Sequence, residues 1–335
     1  MARKTSRKPR KKEELRLSKS DYQFPGEARA YWTAIGATYG AFLMLVVVFF
    51  TTMWNGINGW AGGEGIKGWE GIEWPWVIGP LVYPIVSIIA GNLFATRHTK
   101  QLIKEGGRHA KVMPNNIGEL HKVLVRLSSL AGVKLPHMYL LDDDAPYIYS
   151  IPGGPGTIVA TKALRDQFTD DEFAVLLGRE IGHIKSGHMG LILANTYIAN
   201  ANIALKVLLF PLLLIRLLSQ GWEDVADFTA DRVACLLSGS AALLNQTMVK
   251  KAALVDKHSE VSTEDLRAFM EGGDMSTDSA QMERQFRLGQ FIASVPNMQD
   301  RIEQLSEWLR TDHYVQVHEK MERIRAQFSG QPVAG

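Results

Sequence analysis

One long stretch of the sequence carries no charge. From Tyr31 to Trp54 every residue is uncharged, and the centre of this stretch is the apolar run AFLMLVVVFF. A helix needs roughly 20 apolar residues to cross about 30 Å of hydrocarbon, so the stretch predicts a transmembrane helix over 31–54. A buried core helix is the alternative. A cleaved signal peptide is disfavoured, because the apolar region is too long and no small-residue cleavage site follows it.

A second uncharged run lies between Glu73 and Arg97. It predicts a second transmembrane helix over 74–96, because prolines in a span are tolerated where neighbouring helices satisfy the freed backbone groups. A core helix is again the alternative. The connecting loop, 55–73, is short and rich in Gly and Trp. Its tryptophans are typical of the bilayer interface, and a partner-binding surface is the second interpretation.

Basic residues flank both apolar runs. Lys and Arg crowd the first twenty residues although the net charge of the chain is only +2, and 1–30 is therefore predicted to be a disordered basic tail. Such a tail is attracted to anionic lipid or to nucleic acid, and the neighbouring spans favour lipid and argue against nucleic acid. Basic residues return after the second run, whereas the loop between the runs has Lys67 alone. The positive-inside rule therefore predicts that the residues before the first span and those after the second span both lie in the cytoplasm.

The remaining region, 97–330, is predicted to be a mainly helical α+β domain. NNIGELHKVLVRLSSLAGV has helical spacing of its apolar residues and ends at Gly132. Two short β-like runs, HMYLLD and GTIVAT, follow and are separated by the turn-rich IPGGPG. This glycine-rich stretch lacks the Lys-Ser/Thr of a phosphate-binding loop, which argues against nucleotide binding.

The single cysteine, Cys235, excludes a disulfide framework and a cysteine-based zinc site. Any metal site must therefore use His, Asp and Glu. Cys235 is itself predicted to be a small core residue, because a free cysteine commonly behaves as a buried apolar side chain.

The next segment, FTDDEFAVLLGREIGHIKSGH, predicts a helix that begins after Thr169 with a capping box. Arg179 and His183 are four residues apart and Glu180 and His183 are three apart, so these side chains lie close together on one face. His188 comes five residues after His183. On a continuous helix it would lie about 140° around the axis, and we therefore predict that it faces elsewhere.

Several motifs together resemble the membrane zinc metallopeptidases of the HExxH gluzincin type, which include bacterial HtpX and the eukaryotic CAAX prenyl endopeptidase. REIGH resembles the HE-x-x-H helix, and DFTADRVA resembles E-x-x-A-D-x-x-A. MYLLDDDAPYIYSIPGGPGTIVATKAL is similar to the segment before that helix, and SVPNMQDRIEQL is similar to the C-terminal HP-x-x-x-x-RI-x-x-L, with Val295 in place of the His. The resemblance extends over about 112–309.

The resemblance implies a zincin-like domain with a small β-sheet behind two transmembrane helices, in a bacterial inner membrane. It also implies that 189–219 forms a helical hairpin that enters the membrane or lies at its interface. A helix pair packed on the soluble domain is the alternative for this segment.

Matched residue by residue, Glu180 is the general base of the resembled motif and His183 is its second zinc ligand. Asp227 stands at the position of the third ligand, with Asp231 behind it. Arg179 stands where the first histidine ligand would be. A guanidinium has five hydrogen-bond donors and no acceptor and stays cationic, so it cannot bind a metal ion. His183 and Asp227 are then one ligand short of the three that a catalytic zinc normally has.

The same residues predict an alternative to the metal. Arg179 can occupy the place of the ion and pair with Asp227, Asp231 or Glu180; the competing interpretation is that Arg179 points to solvent. The chain is thus predicted to be a pseudoprotease without a cofactor that binds or scaffolds a membrane-protein partner or client. A working zinc metalloendopeptidase with a non-standard ligand set and a purely architectural subunit are the alternatives.

Overall fold

The computed structural model describes residues 16–60, 74–105, 111–255 and 297–329, and these are mainly helical with one small sheet. The first helices are α1 Lys19–Tyr22, α2 Glu27–Trp60, α3 Trp74–Glu105 and α4 Gly118–Ala131. The strands are β1 His137–Leu141, β2 Ile148–Ile151 and β3 Thr157–Thr161. The later helices are α5 Lys162–Gln167, α6 Asp170–Ser186, α7 Met189–Asn200, α8 Ile203–Leu208, α9 Phe210–Leu218, α10 Gln220–Ser238, α11 Ala241–Val255, α12 Met298–Leu309 and α13 Asp312–Ser329.

The sheet has the order β1-β3-β2, with β1 parallel and β2 antiparallel to β3. The predicted strands β1 and β3 are confirmed, whereas β2 was not predicted. The predicted turn joins β2 to β3, and its Gly156 has a φ of 89°. A Cβ at Gly156 would lie 3.1 Å from Cδ1 of Ile184, so the turn packs directly on α6. The sheet is thereby held against the helix that carries the candidate site.

Helix α6 begins where its sequence predicts. The Thr169 hydroxyl accepts a hydrogen bond from the Glu172 N–H, and the Glu172 carboxylate accepts one from the Thr169 N–H, which completes the capping box. The helix ends at Ser186, and Gly187 follows it in the left-handed region with a φ of 83°. The predicted end of α4 at Gly132, with a φ of 68°, is confirmed as well.

Helices α6 and α10 form the centre of the core. Their facing side chains are almost fully buried, and the set includes Leu177, Ile181, Val233 and Cys235. The prediction that Cys235 is a core residue is confirmed. The two helices approach closely at Gly182, because a Cβ there would lie 3.0 Å from the Ala230 Cα.

We expect Gly182→Ala to lower the free energy of unfolding by about 1–3 kcal/mol, the usual cost of overpacking a core. The added Cβ would meet the Ala230 backbone at 3.0 Å and the Val233 Cβ at 3.1 Å, and neither group moves cheaply. Gly178→Ala is the matched control, since its Cβ would have its nearest neighbour at 3.5 Å. The control should be neutral or stabilising by up to about 1 kcal/mol through helix propensity. Equal melting temperatures for the two variants would contradict this close approach.

The prediction of a disordered tail over 1–30 is wrong for residues 16–30. Tyr22 is 1% exposed and lies between helices of the domain. The Phe24 N–H donates to the Thr229 hydroxyl at 3.0 Å, and the Arg232 guanidinium lies over the Phe24 ring at 4.8 Å. We call residues 16–26 the N-terminal strap. The prediction rested on the many basic residues and missed the apolar residues of this segment that pack on the domain. Residues 1–15 lie outside the described part of the chain.

Within the described residues, one helix is long and apolar enough to cross a membrane, over Glu27–Thr51, with a mean hydropathy of 2.0. It contains most of the predicted span 31–54, and α2 continues as a helix through 55–60, where a loop was predicted. The predicted span 74–96 lies within α3, which is not among the candidate spans. Of the two predicted spans, the described residues thus show one candidate span, and the second stays a prediction. The loop residues 61–73 lie outside the described part.

Candidate functional site

Arg179 lies at the centre of a cluster of carboxylates contributed by α6 and α10. Its Nη2 is 2.6 Å from Oδ1 of Asp227, its Nε is 3.4 Å from Oδ1 of Asp231, and its Nη1 is 3.5 Å from Oε1 of Glu180. The Arg179 side chain is 11% exposed. The predicted pairing of Arg179 with these carboxylates is confirmed, and the alternative in which it points to solvent is wrong.

A second arginine, from α12, completes the cluster. Arg301 donates from Nε and Nη2 to the two carboxylate oxygens of Asp231, each at 2.7 Å, and its Nη1 is 3.9 Å from Oδ2 of Asp227. Fork-shaped pairs of this kind are among the stronger charge-assisted hydrogen bonds. We call Arg179, Glu180, Asp227, Asp231 and Arg301 the ion-pair cluster. No role was predicted for Arg301, although it lies in the RI-x-x-L motif.

The cluster shifts the pKa values of its members in opposite directions. Partial burial raises the pKa of Asp227, but Arg179 and Arg301 outweigh this and hold it at about 2. Burial raises the pKa of Glu180, which Arg179 only partly offsets. Burial lowers the pKa of Arg179, but the three carboxylates around it raise it above its ordinary range. Arg179 and Asp227 are therefore a permanently charged pair.

Two further residues adjoin the cluster and were missed from the sequence. Ser150, on β2, hydrogen-bonds to the Glu180 carboxyl and links the sheet to α6. Lys251, on α11, is close enough to interact electrostatically with Arg179 and Glu180, and burial followed by Arg179 lowers its pKa to about 8. Neither has a local sequence signal, because strand β2 was not predicted and Lys251 is one of two adjacent lysines on α11.

His183 is buried behind the cluster. Its Nε2 is 3.6 Å from Oδ1 of Asp227, and its Nδ1 is 3.2 Å from Nδ1 of His188. Burial, followed by Arg179, lowers the pKa of His183 well below its ordinary value, so its imidazole is neutral. The prediction that His188 faces elsewhere is wrong. It assumed a continuous helix, whereas Gly187 turns the chain and the His188 N–H bonds to the His183 carbonyl at 3.1 Å.

The residues at this site do not fit a zinc ion. Of the three positions that correspond to ligands, His183 and Asp227 carry electron-pair donors, and Arg179 places a cation 2.6 Å from one of them. A catalytic zinc normally has three protein ligands. In the described ranges, no group of three or more His, Cys, Asp or Glu side chains is arranged to hold a metal ion. The cluster instead balances its buried charges with two guanidinium groups.

The chain matches the model of peptidase family M48 over residues 114–309, more than half of its length, and it therefore belongs to that family. This confirms the resemblance seen in the sequence motifs. The chain is therefore a homologue of the membrane metallopeptidases of family M48. The candidate membrane span Glu27–Thr51 agrees with this.

Individual relatives are distant. The chain is 26% identical to the plastoglobule-localized metallopeptidase 48 of Arabidopsis thaliana, over 45% of each chain. It is 24% identical to a protease HtpX homolog of Desulfatibacillum aliphaticivorans, over 32% of this chain and 35% of the relative. The match thus spans less than half the length of these relatives, although it covers 77% of the HtpX homolog of Campylobacter curvus at 20% identity. No solved structure matches the chain significantly.

Proposed function

We propose that this chain is a membrane-bound pseudoprotease of family M48 that holds a segment of a membrane protein without cleaving it. The position of Arg179 carries the proposal. A side chain that stays cationic at all relevant pH values stands where an electron-pair donor would have to be, and it repels a metal ion. It also pairs with both Glu180, the position of the general base, and Asp227, the position of the third ligand.

Ion pairs hold the helices around the cluster together, although the set of metal ligands is incomplete. Arg179 joins α6 to α10, and Arg301 joins α10 to α12. Strand β2 is an edge strand of the sheet, and its Ser150 reaches Glu180. An edge strand offers backbone N–H and C=O groups to an extended peptide, which is a common mode of peptide binding. An extended segment of a membrane protein is therefore the ligand class that we propose for this cleft.

The membrane arrangement that we propose keeps the second span, 74–96. Along α3, large apolar side chains are exposed, and they are Val82, Ile85, Val86, Ile89, Leu93 and Phe94. A monomer in water rarely exposes a contiguous apolar surface of this kind. With both spans in the bilayer, the positive-inside rule places the peptidase-like domain in the cytoplasm, and the resemblance to HtpX favours a bacterial inner membrane.

Segment 189–219, now α7 to α9, is proposed to enter the bilayer from one side. Ile203, Val207 and Leu208 of α8 are 76%, 66% and 60% exposed. The Tyr83 hydroxyl donates to the Leu208 carbonyl at 2.6 Å, and the Tyr83 ring is 5.6 Å from the Phe42 ring, near the middle of span 31–54. Helix α9 has nine residues, about 13 Å at 1.5 Å per residue, and is too short to cross about 30 Å of hydrocarbon. A re-entrant hairpin is therefore the arrangement that we propose.

Cysteine accessibility tests this topology. In a Cys235→Ala background, Gly62→Cys and Ser329→Cys should react with a membrane-impermeant maleimide from opposite sides of the membrane. Leu208→Cys should not react with the maleimide from either side of the membrane until detergent is added, because its side chain would face acyl chains. Labelling of positions 62 and 329 from the same side would contradict the two-span arrangement, and ready aqueous labelling of position 208 would contradict the hairpin.

Metal content and proteolysis test the loss of activity. The purified wild-type chain should hold no stoichiometric zinc and should not cleave an unfolded membrane-protein substrate. The Arg179→His, Asp227→Glu double variant should gain both zinc and cleavage, because it restores three electron-pair donors. Adding Glu180→Gln to the double variant is the matched control, and it should keep the zinc and lose the cleavage.

Two results would overturn the proposal. Stoichiometric zinc with Glu180-dependent cleavage by the wild-type chain would show a working peptidase with a non-standard ligand set. A folded double variant that binds no zinc would show that Arg179 and Asp227 are not what excludes the metal.

A further inference from the structure

Two adjacent lysines of α11, Lys250 and Lys251, have different surroundings. Lys250 donates to the Glu172 carboxylate at 2.8 Å, and its ammonium group lies over the Phe168 ring at 4.8 Å. Among the residues that the structure describes, none forms a hydrogen bond with the ammonium group of Lys251 or an ion pair with it within 4 Å. Lys250 therefore secures the packing of α11, whereas Lys251 is available for another role.

The helical spacing of α11 places Lys251 on the side that faces the ion-pair cluster. Lys251 follows the buried residues Leu244 and Thr247 by seven and four positions, which is the spacing of one helix face. Helix α11 packs on α6, and Lys251 is half-buried. Its charge acts on Glu180 and on Asp227, so the lysine adjoins the cluster from α11.

The aspartates of the cluster already have cationic partners. Asp231 accepts two hydrogen bonds of 2.7 Å from Arg301, and Asp227 is 2.6 Å from Arg179. Lys251 is thus a cation that these pairs do not need. Burial disfavours a charged group that has no counter-ion, so a half-buried ammonium gains from an anion that arrives from outside.

Glu180 connects Lys251 to the edge of the sheet. The Glu180 carboxyl is 3.5 Å from Arg179 and hydrogen-bonds to Ser150, and it forms no ion pair with Lys251. Ser150 lies on β2, the edge strand along which we propose that an extended peptide binds. A side chain of such a peptide that points to α6 therefore meets the positive charge of Lys251.

We propose that Lys251 is a specificity-determining residue of the cleft, and that it binds a carboxylate of the peptide held along β2. The ligand class is then an extended segment with an acidic side chain at the position that faces Lys251. A hydrogen bond between an ammonium group and a carboxylate is among the stronger ones, and a half-buried pair is screened less by salt than an exposed pair. This inference rests on the proposed function, because it needs a peptide in the cleft.

Paired peptides test this preference. The full chain in lipid nanodiscs is titrated with Thr-rich peptides of about eight residues, long enough to pair with β2, whose ends are blocked. Each central position in turn carries Glu, and a twin peptide carries Gln there. At one position the Glu peptide should bind about tenfold more tightly than its twin, a modest gain for a charged hydrogen bond. The adjacent positions should show no preference, because neighbouring side chains of a strand point to opposite faces.

Variants of the two lysines assign the preference. Lys251→Met should bind the Glu and Gln twins equally, and Lys251→Gln serves the same purpose if Lys251→Met does not fold. Lys251→Arg keeps the charge and should keep most of the preference. Lys250→Met is the matched control and should keep all of it, because Glu172 already binds the ammonium group that it removes. Lys251→Glu should prefer a twin with Lys at the same position, a reversal that a purely structural role of Lys251 would not produce.

The outcomes separate this inference from the proposed function. Equal binding of the Glu and Gln twins at every position would overturn the role of Lys251 and leave peptide binding in place, whereas failure of every peptide to bind would overturn both. A folded Lys251→Met variant that keeps the preference would also overturn it. A Gln peptide with a free C-terminus is the last arm. If only that peptide shows a gain that depends on Lys251, the carboxylate is a chain end, and the assignment to an acidic side chain is wrong.

Discussion

Replacing Arg179 with methionine should lower the free energy of unfolding by about 3 kcal/mol, the lower end of the cost of breaking a buried ion pair. The substitution removes a partner from three carboxylates at once. Asp231 keeps its bond to Arg301 and the Asp227 side chain is 31% exposed, which places the expected cost at that lower end. Thermal and urea unfolding in a fixed detergent, followed by circular dichroism, measures the effect.

The matched control adds Asp227→Leu to Arg179→Met. Replacing both partners of a buried pair with apolar residues is often close to neutral, so the double variant should recover most of the lost stability. Arg179→Lys should lie between the wild type and Arg179→Met, since an ammonium keeps the charge and loses the fork-shaped geometry. If Arg179→Met is as stable as the wild type, the guanidinium does not hold α6 to α10.

The sequence predicted the features that depend on local chemistry. The capping box at Thr169 and the helix end at Gly132 are set by contacts within a few residues. The pairing of Arg179 followed from two motifs, because α6 and α10 must meet if the family fold is retained. A buried arginine is expected to pair with carboxylates, and the shortest of these contacts is the one with Asp227, at 2.6 Å.

The features that were missed depend on tertiary contacts between distant segments. Lys251 and Arg301 join the site from α11 and α12, and single residues of this kind have no periodicity or spacing to mark them. His188 was misplaced because a regular helix was extended past Gly187, which leaves the helix in the left-handed region. Strand β2 has only four residues, too few to establish an alternating pattern.

In the function that we propose, the cluster takes over the structural role of a metal ion. In a metallopeptidase of this kind the ion would join the ligand helices; here Arg179 joins α6 to α10, and Arg301 extends the same network to α12. The two guanidinium groups, of Arg179 and Arg301, face Asp227 and Asp231, and Arg179 also lies 3.5 Å from Glu180. The carboxylates of the cleft are thus paired with cationic side chains without an ion.

A double-mutant cycle between Arg301 and Asp231 should give a coupling energy of about 2–3 kcal/mol, near the upper end for contacting residues. Both side chains are largely buried, at 11% and 6% exposure, and two parallel bonds of 2.7 Å join them. The matched control is the pair Arg323 and Glu319 on α13, which lies 3.4 Å apart with side chains 69% and 62% exposed.

The control pair should couple by only about 0.3–0.5 kcal/mol, because water screens it and both side chains lose rotamer freedom on pairing. Arg301→Met, Asp231→Asn and their combination form one cycle, and Arg323→Met, Glu319→Gln and their combination form the other. Added salt should weaken the control pair and leave the Arg301 pair nearly unchanged, since buried charges are screened less. Equal coupling in the two cycles would mean that Arg301 does not hold α12 to the site, and that Arg179 alone maintains the cluster.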